Sequence, residues 1–154
     1  LTLAAAAPLR LERNVALFRT LLAIRQSNAA PDVWLRSLFP WLFAPAFFET
    51  SGVVEQAATA SLAYPFAQSA QAMALQIASL DGYTPDTIGD LGCPVQAILG
   101  QKDLLMPAEL AKVPLEATPL HIIPEAGHSI HWDAPDAVAD QLIQFIAQSE
   151  ETFV

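Results

Sequence analysis

Residues 93–135 read CPVQAILGQKDLLMPAELAKVPLEATPLHIIPEAGHSIHWDAP, and two short apolar runs within them decide the fold. Val95–Leu99 and Leu120–Ile123 are each of strand length, and each is followed by a Gly-containing loop that carries an ionisable side chain. Those side chains are Asp103 and His128. With Pro107–Val113 as the start of a crossover, the two runs are expected to lie side by side as parallel strands. Both loops then leave the carboxyl edge of one sheet, where an acid and an imidazole would meet in a single crevice.

Upstream of this stretch the pattern is mostly helical. Leu1–Ala7 is a short apolar run closed by Pro8, which reads as a further strand. Leu11, Val15, Phe18, Leu22 and Arg25 recur at helical spacing between about Arg10 and Gln26, and Ser27, Asn28 and Pro31 end that helix. Asp32 is placed to cap a second helix through Phe39, which Pro40 bends or ends. A third helix is expected over Val53–Ala63, and a fourth with Pro65 in its first turn running to about Leu80. Pro85–Asp90 has room for one helical turn. Downstream, Asp133 is placed to cap a last helix with Pro135 in its first turn and Val138, Leu142, Phe145 and Ile146 facing inward. Glu150–Val154 reads as a frayed tail.

Composition narrows the function classes. At 154 residues, 53% hydrophobic and 15% charged, the chain is long and apolar enough to bury a substantial core. Seven basic against sixteen acidic residues give a formal charge of -9, which disfavours nucleic acid and anionic membrane surfaces as partners. No apolar run is long enough to span a bilayer. The one cysteine, Cys93, excludes an internal disulfide and is compatible with a reducing cytosol, so a cytoplasmic location is expected.

The chemistry concentrates in the two loops. A neutral imidazole takes a proton from a hydroxyl near neutral pH, and a buried carboxylate fixes its tautomer and stabilises the imidazolium that forms. Read as ordinary loop residues, Asp103 would be a turn former and His128 would bond its own backbone. His121, His128, His131 and Asp133 offer donor types that suit zinc, but His121 lies within a strand and the others on the loop beyond it, so no metal site is expected. The aromatics from Trp34 to Phe48 pack helices together, roof an apolar small-molecule pocket, or do both.

The strand, Gly100–Gln101–Lys102–Asp103–Leu104–Leu105–Met106–Pro107, the next strand, then Ala126–Gly127–His128 and the Asp133–Ala134–Pro135 helix start resemble the C-terminal part of an α/β-hydrolase. The chain is similar to the lactonase and esterase branch that includes 3-oxoadipate enol-lactonases. The fold class so implied is α/β: the C-terminal portion of a hydrolase fold, with a short parallel sheet of about three strands, flanking helices and a mostly helical cap. Residues 1–9 would be a strand of the hydrolase core, 10–83 the cap and 84–154 the C-terminal core segment. The resemblance makes Asp103 the triad acid and His128 the triad base. Trp34 and Phe39 from the aromatic cluster, with Leu104 and Trp132 from the two loops, become the candidate substrate contacts.

The family sets a Ser in a G-x-S-x-G elbow ahead of these elements. No serine of this sequence lies in that pattern. The resemblance therefore implies a segment that carries the acid and the histidine of a small-molecule ester or lactone hydrolase, needs no cofactor, and is inactive alone. The first strand would leave an edge open to a second copy or to the missing N-terminal half of the fold. A second class stays open: a non-enzymatic helical lid or interaction module whose aromatic patch binds a protein or an apolar ligand.

Overall fold

The computed structural model describes residues 1–86, 88, 89 and 91–152. The apolar runs become β2 (Gln96–Gly100) and β3 (Leu120–Ile123), and the first run becomes β1 (Thr2–Ala4). The helices of the described residues are α1 (Glu12–Gln26), α2 (Val33–Leu42), α3 (Val53–Ala63), α4 (Ala70–Ser79), α5 (Ala108–Ala111), α6 (Ile130–Asp133) and α7 (Pro135–Thr152), with a 3-10 turn at Pro45–Glu49. None of these helices is long and apolar enough to cross a membrane.

The three strands form one parallel sheet in the order β1-β2-β3. Every residue of β2 is buried, because a central parallel strand is covered on both faces. Its side chains alternate between them. Ala97 and Leu99 meet Ala108, Ala111 and Leu115 on the α5 side, and Ile98 meets Ile123, Ala126, Ile130 and Val138 on the side of α6 and α7. Each fully buried Leu or Ile stabilises this sheet by about 1.5–3 kcal/mol. Gln96, the polar exception, uses its side-chain amide to donate to Thr2 Oγ1 at 3.1 Å.

The chain divides into two compact units. One holds Leu1–Leu9, Trp41–Ala44 and the chain from Pro85 onward, and so contains the sheet. The other, Arg10–Pro40 with Pro45–Thr84, is helical. In the helical unit Leu21 of α1 packs with Met73 and Ile77 of α4, supported by Leu17, Phe18, Leu22 and Leu38. Arg10 Nε donates to the Leu80 carbonyl at 2.8 Å and ties the start of α1 to the end of α4.

Several local expectations need correction. β1 stops at Ala4 instead of Ala7, since Ala5 adopts a positive φ of 49°. Pro40 sits inside α2 and the helix runs on to Leu42. Asp32 stands at the N-cap position, with its carbonyl accepting from Arg36 N at 3.0 Å, while its Oδ2 accepts from Arg36 Nε at 2.5 Å. The fourth helix begins at Ala70, not around Pro65, because Ser69 Oγ accepts from Ala72 N at 3.0 Å and satisfies a donor that a first turn otherwise leaves open. Ile146 of α7 is exposed rather than inward. The helix continues through the expected tail as far as Thr152, while Phe153 and Val154, like Thr87 and Asp90 of the expected turn, lie outside the described residues.

Candidate functional site

The loops after β2 and β3 are hooked together before either side chain is considered. Gln101 N donates to the Ile123 carbonyl at 2.9 Å and Lys102 N to the Ala126 carbonyl at 2.8 Å. Gly100, the last residue of β2, allows this approach: a Cβ there would collide with the carbonyl oxygens of Gly127 and Ala126.

Asp103 follows directly, with its side chain fully buried. Its Oδ1 accepts from Leu105 N and Met106 N, both at 2.8 Å, and its Oδ2 lies 2.9 Å from His128 Nδ1. A buried carboxylate without partners costs several kcal/mol, and here three donors surround it. An ionised carboxylate only accepts, so Nδ1 of a neutral His128 carries the proton and Nε2 presents the lone pair. The His128 side chain is 28% exposed. The arrangement can therefore accept a proton at Nε2 while the acid holds the ring in one orientation.

The backbone on either side of His128 is also fixed. Asp133 Oδ2 accepts from Gly127 N at 2.7 Å and from Ala44 N at 3.0 Å, and Ser129 N donates to the Leu42 carbonyl at 2.8 Å. A Cβ on Gly127 would stand 2.8 Å from both Ala44 N and the Leu42 carbonyl oxygen. The Asp133 carboxylate thus does not cap α7, contrary to the expectation from its position before Pro135; it pins the histidine loop to residues 42–44. No signal in the sequence relates Asp133 to Ala44, 89 positions away.

Of the candidate residues, Asp103 and His128 are brought together, and Leu104 and Trp132 lie in the same unit. Leu104 is 48% exposed; Trp132 is 55% exposed and packs on Phe43 at 5.9 Å between ring centroids. Trp34 and Phe39 belong to the helical unit. Phe39 is 2% exposed and meets Phe47 edge-on at 6.3 Å, whereas Trp34 lines a cavity. Within the helical unit Phe39 and Phe47 are buried, while Phe48 is 40% exposed. Among the described residues no group of three or more His, Cys, Asp or Glu side chains could hold a metal ion.

The alpha/beta hydrolase family model matches residues 2–141. No curated protein matches the sequence. Among solved structures, a Mycobacterium tuberculosis protein is similar at 21% identity and a TM-score of 0.71, over 96% of this chain and 56% of that one. Another from the same organism, carrying the name non-heme bromoperoxidase BpoC, is similar at 21% identity and a TM-score of 0.70, over 96% and 57%. A thermophilic esterase from Thermogutta terrifontis is similar at 20% identity and a TM-score of 0.71, over 96% and 55%. The chain spans a little over half the length of these structures, and likeness at such identities is a likeness of fold.

Proposed function

Because this chain belongs to the alpha/beta hydrolase family, we propose that it supplies the acid and the base of a serine-type hydrolase acting on a small ester or lactone. The observation that carries this reading is the 2.9 Å contact between buried Asp103 and part-exposed His128. In the proposed reaction His128 Nε2 takes the proton of an attacking hydroxyl as the acyl-enzyme forms, then returns it to the leaving oxygen. Asp103 holds the ring and stabilises the imidazolium. Such a base typically contributes about 10² to 10⁴-fold.

The nucleophile and the oxyanion donors are assigned to residues outside this sequence, since no serine here lies in a G-x-S-x-G elbow. By the same reading the chain alone turns over no ester. The lactonase and esterase branch, including 3-oxoadipate enol-lactonases, is the proposed affiliation, and the name of the Thermogutta protein supports the esterase side of it. Leu104 and Trp132 in the sheet unit and Trp34 and Phe39 in the helical unit are the proposed substrate contacts. No cofactor is called for, and a cytoplasmic setting is proposed from the single cysteine. The outer edge of β1 is proposed to pair with a second copy or with further strands of the hydrolase sheet; a monodisperse monomer at high concentration in light scattering argues against that pairing.

The test uses proton NMR together with a p-nitrophenyl acetate assay. The reading expects a His128 Nδ1 proton protected by a hydrogen bond in the native chain and lost in Asp103→Asn, with no His128-dependent ester turnover. Turnover that disappears in His128→Ala would place the nucleophile within these residues and overturn the division. An unprotected Nδ1 proton would remove the acid and base pair itself.

A further inference from the structure

Within the helical unit, Phe18 and Leu21 of α1, Trp34 and Leu38 of α2 and Met73 and Ile77 of α4 line a cavity of about 440 Å³. That volume lies in the range of small-molecule sites, and these side chains are apolar in the way such sites are. Arg25 adjoins it through three wall residues. The Arg25 guanidinium lies over the Trp34 ring, 4.5 Å from its centroid, approaches Met73 Sδ at 3.8 Å and donates to the Gln68 carbonyl. Trp34, Met73 and Gln68 are all wall residues of the cavity.

Arg25 differs from most of the other bases in what surrounds it. Arg10, Arg19, Arg36, Lys102 and Lys112 each pair with a carboxylate, as expected where sixteen acids face seven bases. Among the described residues Arg25 has no carboxylate partner; a π face, a thioether and one carbonyl satisfy it instead. A guanidinium offers five donors in a planar fork that matches a carboxylate, and stacking on Trp34 holds that fork with little entropy left to lose.

We propose that this cavity binds a small carboxylate with an apolar body, of the medium-chain alkanoate class, its hydrocarbon among α1, α2 and α4 and its carboxylate on Arg25. A cation of the same shape is disfavoured by Arg25, and an uncharged alcohol gains the apolar contacts alone. The proposal shares Trp34 with the proposed substrate contacts but uses neither Asp103 nor His128, so its test does not depend on the hydrolytic reading.

Titration calorimetry of the 154-residue chain with octanoate, octanol and octylammonium, below micelle formation, tests it. Octanoate should bind saturably and more tightly than octanol, with no detectable octylammonium binding. Arg25→Gln should weaken octanoate by about tenfold, the effect of losing one charge-assisted contact, and leave octanol unchanged. Leu38→Trp, which fills the cavity, should weaken both ligands. Circular dichroism and thermal melts establish that each variant is folded, and Arg25→Lys, which keeps the charge without the fork, should fall between. Absence of octanoate binding, equal binding of octanoate and octylammonium, or unchanged octanoate affinity in folded Arg25→Gln each overturns the proposal.

Discussion

Asp133 and Gly127 are joined by a 2.7 Å hydrogen bond from the Gly127 amide to Asp133 Oδ2, one residue before His128. The same oxygen accepts from Ala44 N at 3.0 Å, so one carboxylate ties the histidine loop to the segment that follows α2. His128 is thus held through its ring by Asp103, and the Gly127 backbone just before it is held by Asp133.

Asp133→Ala should leave the Gly127 and Ala44 amides without their acceptor and destabilise the chain by about 1–3 kcal/mol. Hydrogen exchange should speed up at those two amides while the amide of Ile98, in the middle of β2, changes only with global stability. Asp133→Asn keeps an acceptor oxygen and should lose less.

Asp103→Asn should lower stability by about 1–3 kcal/mol in urea unfolding, because the variant amide cannot replace a carboxylate that accepts from Leu105 N, Met106 N and His128. The His128 ring should lose its fixed orientation in NMR. Equal stability of the two proteins would show that the buried carboxylate is not held as described.

Gly100→Ala and Gly127→Ala should each cost about 1–3 kcal/mol, since their Cβ atoms would meet backbone that cannot swing aside. Gly82→Ala is the control. Nothing lies within 4 Å of a Cβ there, so its unfolding midpoint should stay within about 0.5 kcal/mol of the parent.

The Arg36 guanidinium, 2.5 Å from Asp32 and 2.8 Å from Glu55, holds both carboxyls below their ordinary values by hydrogen bonding. A carboxyl depressed in the folded state adds stability above its unfolded pKa, near 4, and loses that contribution as pH falls through the lower folded value. Stability measured from pH 6 downward should therefore decline more steeply in the native chain than in Arg36→Gln. The difference should shrink in high salt, because Arg36 and Glu55 are open to solvent.

Much of the architecture was open to reading from local pattern. Leu120–Ile123 and Val53–Ala63 form their elements at the expected residues, and the run at 95–99 forms its strand one residue later. The parallel pairing of β2 with β3 follows from two short apolar runs joined by a crossover, and with it the shared edge from which Asp103 and His128 emerge. Helix ends were less legible. Pro40, expected to bend or end its helix, lies inside α2, and Pro65, expected in a first turn, precedes α4 by several residues.

What the amino-acid order determined by itself was periodicity, strand length and the chemical types at the loop ends, since each depends on neighbours a few residues apart. Tertiary structure alone decided that Asp133 turns to Ala44 and Gly127 instead of to α7, that Gly100 lies against Ala126, and that Arg25 rests on Trp34 beside an apolar cavity. Those contacts depend on distances between residues far apart along the chain. Such distances are settled only when burial of β2 and the α1–α4 seam brings the surrounding backbone to within a hydrogen bond or a van der Waals radius.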